Sequence, residues 1–127
     1  MAALSDYSEN LLLEWMLTAN SPTRPTAWYV ALYTAAPSDS GGGTEVSTGG
    51  YARQSVTFTT TGDTASNSGA VSFTASGAGY GTVSHMGIFD AVSAGNLLWH
   101  GSLTSSKTID DGDTLQFDAG NIDLTLA

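Results

Sequence analysis

The sequence predicts a mainly β protein: an antiparallel β-sandwich or flattened barrel of about seven to eight strands with one N-terminal α-helix. Three observations carry this. Helical periodicity is confined to the segment before Pro22 and Pro25. Beyond them, short runs of alternating apolar residues are separated by Gly-rich turns. Finally, Gly81 to Gly101 reads as one long β-hairpin, its Ser93-Ala94-Gly95-Asn96 turn supplying residues tolerant of a tight loop. A chain of 127 residues without cysteine is expected to form a single domain, residues 1–127, with enough core to do without disulfides. The helix falls within residues 1–20 and the sandwich within 27–127.

In chain order, the helix is expected from Leu4 to about Ala19. Tyr7, Leu11 and Trp15 recur every four residues, and Leu12, Met16 and Ala19 form an adjacent row. Ser5 suits the N-cap, Asp6 and Glu9 suit the first turn, and Asn20 suits the residue after the last turn. The stripe is wide enough to dock on one face or end of a sheet. The alternative is an arm inserted into a neighbouring subunit, which makes Trp15 and Met16 candidate interface residues.

Trp28 to Tyr33 alternates as a strand with two usable faces. Thr34 to Gly50, with Pro37 and five glycines, reads as a long surface loop of the kind that serves contacts. Arg53 to Thr61 gives a strand presenting Val56 and Phe58, and Ala70 to Thr74 one presenting Val71 and Phe73, with a turn region from Gly62 to Gly69 between them. In the central hairpin, pairing Asp90 with Leu97 places Met86, Ile88 and Trp99 on one face and His85, Phe89, Leu98 and His100 on the other. Both faces are then apolar, so the hairpin belongs inside a sheet covered on both sides, or covered on one and bound to a partner on the other. Leu103 and Ile109 flank a polar bend, Asp110 to Asp113 form a turn, and Leu115, Phe117, Ile122, Leu124 and Leu126 mark the closing strands.

Composition bounds function. Three cations face twelve carboxylates, a net charge of −9, which argues against nucleic acid and anionic membrane surfaces as partners. The start has neither a membrane-length apolar run nor the basic region of a secretion signal, so folding in a host cytoplasm is expected. Charged residues are only 12% of the chain, a sparsely charged surface suited to packing in an assembly.

The search for chemistry assigns no catalytic residue, no cofactor and no metal. His85 and His100 are diagonal neighbours in the proposed register, yet no third ligand is placed with them. Asp110, Asp111 and Asp113 lack the spacing and distal Glu of a calcium loop. No Gly-x-Ser-x-Gly elbow occurs, and Gly41-Gly42-Gly43-Thr44 lacks the lysine of a phosphate loop. Arg53, within Gly50-Tyr51-Ala52-Arg53-Gln54, has two readings: an ion pair inside the monomer with Glu45, or a bidentate contact with a carboxylate of a neighbouring subunit. Glu45, Tyr51 and Arg53 therefore join Trp15 and Met16 as candidate interface residues.

The series Trp28 to Thr34, Gly43-Thr44-Glu45-Val46-Ser47, Gly49 to Gln54, Gly87-Ile88-Phe89-Asp90-Ala91 and Gly95-Asn96-Leu97-Leu98 resembles a family of small virion proteins of tailed bacteriophages, often labelled tail fibre proteins. The likeness covers nearly the whole chain and brings no catalytic motif. It implies a non-enzymatic virion structural protein. Capsid decoration on the outer head surface is the first expectation, with the major capsid protein or other virion proteins as partners and a homo-oligomer in the particle. A tail fibre or other host-contact protein is the alternative. A carbohydrate-binding sandwich using Trp28, Tyr29, Tyr33, Tyr51 and Tyr80 is more distant, because burial explains those aromatics equally well.

Overall fold

A computed structural model describes residues 2–126. Among them one helix and eleven strands follow in order: β1 (Ala2–Leu4), α1 (Asp6–Leu17), β2 (Tyr29–Ala35), β3 (Thr44–Glu45), β4 (Gln54–Ser55), β5 (Phe58–Thr61), β6 (Thr64–Asn67), β7 (Val71–Thr74), β8 (Gly81–Phe89), β9 (Leu97–Ile109), β10 (Thr114–Phe117) and β11 (Asp123–Thr125). All pairings between them are antiparallel. The main sheet runs β1-β9-β8-β2-β3, with β4 also on β2; the others are the pair β10-β7 and the sheet β11-β6-β5. The fold is thus a sandwich with an N-terminal helix, and the sheets do not close into the flattened barrel left open by the sequence. The larger strand count comes from two- to four-residue strands that carry too few positions to show a period.

The core lies where the two smaller sheets cover one face of the main sheet. Val30 and Leu32 of β2 and Met86 and Ile88 of β8 meet Val71 and Phe73 of β7, Leu115 of β10 and Leu124 of β11. The opposite face carries a smaller buried cluster, Ala31, Tyr33, Phe89 and Leu97. The hairpin is therefore interior and apolar on both sides, as its composition requires. Gly87 gives the second cluster room: a Cβ there would lie 2.9 Å from Leu97 Cδ1 and 3.2 Å from Tyr33 Cε1, so a side chain would push those groups back from the strand.

The hairpin register agrees with the sequence reading at Met86↔Gly101 and Ile88↔Trp99, then shifts, because Leu97 faces Phe89 rather than Asp90. The irregularity turns Leu98 into the main core and leaves Leu97 beside Phe89, the reverse of the expected assignment. A second irregularity inserts residues into β9 between Ser102, opposite His85, and Lys107, opposite Val83, so that one long strand replaces the expected polar bend.

Other boundaries also differ. Residues 53–61 divide into β4 and β5 in different sheets, and the supposed turn from Gly62 to Gly69 contains β6. Buried Asn67 explains that strand's polar sequence: its Nδ2 donates to the carbonyls of Gly69 (2.8 Å) and Asp118 (3.0 Å), and its Oδ1 accepts from Ile122 N (2.8 Å). An amide fully satisfied by backbone stabilises the loop before β11 without an apolar side chain. The long loop after Ala35 is tied by the Ser38↔Gly41 bridge and β3, and Val46 enters the core.

The helix is shorter than expected, and Leu4 pairs with Trp99 as a strand residue. Ser5 caps it, accepting from Ser8 N at 3.2 Å, while Thr18 rather than Asn20 closes it, its N–H donating to the Glu14 carbonyl. The apolar stripe does not dock on the core. Within α1 only Ser8 is buried, and every residue from 13 to 21 is exposed.

Candidate functional site

Two constellations stand out, and they are separate. The first staples the tip of the hairpin. Tyr33 of β2 pairs with Glu45 of β3, placing the carboxylate over the smaller cluster. Arg53 meets it with two parallel bonds, Nε to Oε2 at 2.8 Å and Nη2 to Oε1 at 2.9 Å. Its Nη1 donates to the carbonyls of Ala91 (3.0 Å) and Ala94 (2.7 Å), and the guanidinium lies 3.6 Å from the centroid of the Phe89 ring. Tyr51 completes the network, donating to Glu45 Oε2 at 2.6 Å and accepting from Leu32 N at 3.0 Å. Its ring lies in the main core, stacked on Phe73 and edge-on to Tyr80.

The electrostatics follow from this geometry. Burial alone would raise the Glu45 pKa, but the hydrogen bonds from Arg53 and Tyr51 outweigh it and hold the carboxyl below its ordinary range. Burial likewise opposes the charge on Arg53, whose pKa is nevertheless raised by the bond to Glu45. Burial and then the Glu45 charge push Tyr33 up to about 12, and burial together with the bond to Glu45 raises Tyr51.

The loop so held carries the positive φ of Ala94 (53°) and Gly95 (76°). The Asp90 carboxylate accepts from Asn96 N (2.7 Å) and Asn96 Nδ2 (2.9 Å). A Cβ on Gly95 would fall 2.6 Å from Asp90 Oδ1 and 2.7 Å from Ala91 Cβ, and the positive φ adds strain for any other residue, so glycine is strongly favoured there.

The second constellation is the arm. Leu13, Trp15, Met16 and Leu17 are 52%, 62%, 58% and 74% exposed. They point to different sides of the helix, and Glu14 is the lone charge among residues 10–17. The root is bonded to the rest of the chain: Ser5 N donates to the Leu98 carbonyl at 3.0 Å, Ser5 Oγ donates to the Leu97 carbonyl, and Asp6 N donates to the Asp39 carbonyl at 2.8 Å. Beside the root, the exposed carboxylates of Asp6, Glu9 and Asp39 lie within 4.8 Å of one another, and each could offer a metal one oxygen. The helix N-terminus accounts for the first two and His100 for the third, its Nε2 being 2.7 Å from Asp39 Oδ1. His85 instead meets Ser84 Oγ at 2.8 Å, so the two histidines have different partners.

Of the five candidate interface residues, Glu45, Tyr51 and Arg53 come together, and their polar groups are engaged within the chain. Arg53 adopts the intramolecular alternative, its side chain 8% exposed. Trp15 and Met16 are not near them and remain uncovered. The sequence reading did not find Leu13 and Leu17, although Leu11-Leu12-Leu13-Glu14-Trp15-Met16-Leu17 has too many apolar residues for one stripe, a signal that was available. Among the described residues no helix is long and apolar enough to cross a membrane.

Sandwich and arm define a small structural module whose conspicuous unsatisfied surface is apolar rather than chemical. The chain belongs to the Podophage GP4 fiber I protein gp80 family, whose sequence profile matches residues 3–125. It is accordingly a phage virion structural protein. Among curated proteins none matches it.

Proposed function

We propose that this protein is a non-enzymatic component of a phage fibre, joined to other virion proteins through α1. The observation that carries the reading is the arm: four large apolar side chains exposed on a helix whose root is bonded to the sheet. Large apolar side chains clustered on the exposed distal half of a helix mark a surface suited to packing against a partner in an assembly. The family's description as a fibre protein favours this placement over capsid decoration, the first expectation from sequence. The sparsely charged surface suits either placement.

Copy number tests the reading. Quantitative gel analysis of purified particles and of detached tails should find the protein with the tails, at a copy number far below that of the major capsid protein. Copies comparable with the major capsid protein, retained on tail-free heads, overturn the fibre placement and establish decoration.

A further inference from the structure

We infer that the hollow between the root of α1, the loop 38–42 and the hairpin tip binds an alkylammonium group, the end of a lysine side chain from a neighbouring virion protein. That the donor is a virion protein rests on the proposed function. The chemistry of the hollow is argued from this chain alone.

The hollow holds about 490 Å³, within the range of about 300–1,000 Å³ usual for sites that enclose a small organic group. Tyr33, Phe89 and Leu97 form its floor, and Tyr7 of α1 stands at its side. Tyr33 is 4% exposed, and its ring leans across Gly87 against Leu97, since a Cβ on Gly87 would meet Tyr33 Cε1 at 3.2 Å and Leu97 Cδ1 at 2.9 Å. The phenol end is thereby turned away from β3, on one side of Tyr33, and toward β9, to which the arm root is bonded. Its hydroxyl makes no hydrogen bond among the described residues, where every fully enclosed side-chain polar atom has a partner. The hydroxyl therefore opens into the hollow that the residue lines. Polar groups on side chains so deeply buried are ordinarily paired, and this one points to a partner that the chain does not supply.

The other free groups at the site are charged acceptors. Asp6 and Asp39 line the hollow, and their carboxylate oxygens lie within 4.8 Å of one another and of Glu9. The helix N-terminus and His100 explain why three carboxylates are tolerated together, yet Asp39 meets His100 through Oδ1 alone. One ammonium can bridge two oxygens at that separation, because its bonds to carboxylates are each about 2.8 Å long. It has three N–H donors and no acceptor, which suits Asp6, Asp39 and the Tyr33 hydroxyl together. A bare metal ion would use the carboxylates and leave the aromatic floor without a role, whereas a lysine stem packs on such a surface while its head stays among polar groups. Arginine matches less well, because its planar fork calls for both oxygens of one carboxylate and Asp39 Oδ1 is already engaged. Arg53, stacked on Phe89, is balanced by Glu45 and leaves the acidic character of the site in place.

The donor is a different protein. The net charge of −9 repels a second copy, and each copy holds one lysine, Lys107. A cation-rich partner is steered to the hollow by the same charge. Asp6 and Tyr7 belong to the first turn of α1, so a partner packed on the exposed distal half of that helix lies beside the site.

Magnetic-resonance titration of the isotope-labelled full chain tests the hollow, with Nα-acetyl-lysine methylamide as the probe and EDTA present to remove metal ions. The amides of Gly41, Gly42 and Asn96, which line it, should shift and saturate in the millimolar range. Asp39→Asn should raise the dissociation constant by about tenfold, and Tyr33→Phe by about threefold with an unchanged circular dichroism spectrum, since that hydroxyl has no partner within the chain. The Nε-acetylated probe, which keeps the stem and loses the charge, should not saturate. An equal response to the acetylated probe, or no saturation at all, overturns the inference, as does saturation by methyl glucoside in place of lysine, which makes the hollow a sugar site. In purified particles a carbodiimide, which joins a carboxylate directly to an amine it touches, should link Asp6 or Asp39 to a lysine of another virion protein. Saturation by the probe without such a link overturns the protein donor. The link is scored whether its lysine lies on a head or a tail protein, so its failure is separate from a copy count that removes this protein from the fibre.

Discussion

Replacing Arg53 by lysine keeps the charge and removes the fork, which isolates what the hairpin-tip network contributes. The guanidinium makes four hydrogen bonds, two to Glu45 and two to the carbonyls of Ala91 and Ala94, and lies on the Phe89 ring. An ammonium at the end of a flexible stem can keep one bond to Glu45 and one to a carbonyl. Two charge-assisted bonds at about 1.5 kcal/mol each are lost, a total of about 3 kcal/mol. Arg53→Ala removes all four bonds and the ring contact and should cost more than Arg53→Lys. It strands the Glu45 carboxylate, but that side chain is 27% exposed, so water offsets part of the penalty. Urea denaturation should show the midpoint falling with an unchanged slope, and thermal melts should fall by about 10 °C. Hydrogen exchange should report where the loss lies, with amides 91–96 exchanging faster in Arg53→Lys than in wild type. Stability within about 0.5 kcal/mol of wild type, the usual range for surface substitutions, would refute the staple and return Arg53 to the list of interface candidates.

Two further predictions concern the same sheet. Because the Glu45 pKa is lowered by folding, its contribution is fully present above the unfolded value of about 4.3 and is lost as pH falls through the folded one. The stability gap between wild type and Glu45→Gln should therefore narrow on acidification from pH 7 to pH 2, and a gap independent of pH contradicts the assignment. Ile88→Ala should cost about 3 kcal/mol, since Ile88 is 1% exposed at the centre of the main core, and an unchanged unfolding midpoint would place that strand elsewhere.

What the sequence made legible follows from the number of residues that agree on one answer. The hairpin register from Met86 to Ile88 could be read because several apolar residues alternate there, and a one-residue slip would turn them all over. The shift at Leu97 could not, because it depends on how Tyr33 and Phe89 close over Gly87, contacts supplied partly by another strand. β6 was missed because its burial is achieved by the Asn67 amide, which pattern reading treats as a turn residue. Of the candidate site, Arg53 and Glu45 were visible as a rare cation with a carboxylate nearby in sequence. Tyr51 lay between them, but its bond to Leu32 N required the sheet edge.

The arm shows the limit of periodicity most directly. Tyr7, Leu11 and Trp15 do recur at helical spacing, and the inference that a stripe of that kind docks on the chain's own core presumes a free apolar face to receive it. The folded sandwich offers none beside the arm. One face of the main sheet is covered by the two smaller sheets, and the other is closed by Tyr33, Phe89 and Leu97 with Arg53 above them. Had the hairpin been apolar on one side only, the second face would have been open to a helix. Because it is apolar on both, the chain spends Glu45 and Arg53 to seal that face, and α1 is left with its root bonded and its distal half in water. The two apolar hairpin faces and the uncovered arm are consequently one fact about the fold: both faces of the hairpin are closed by other parts of the chain, and Leu13, Trp15, Met16 and Leu17 are left exposed.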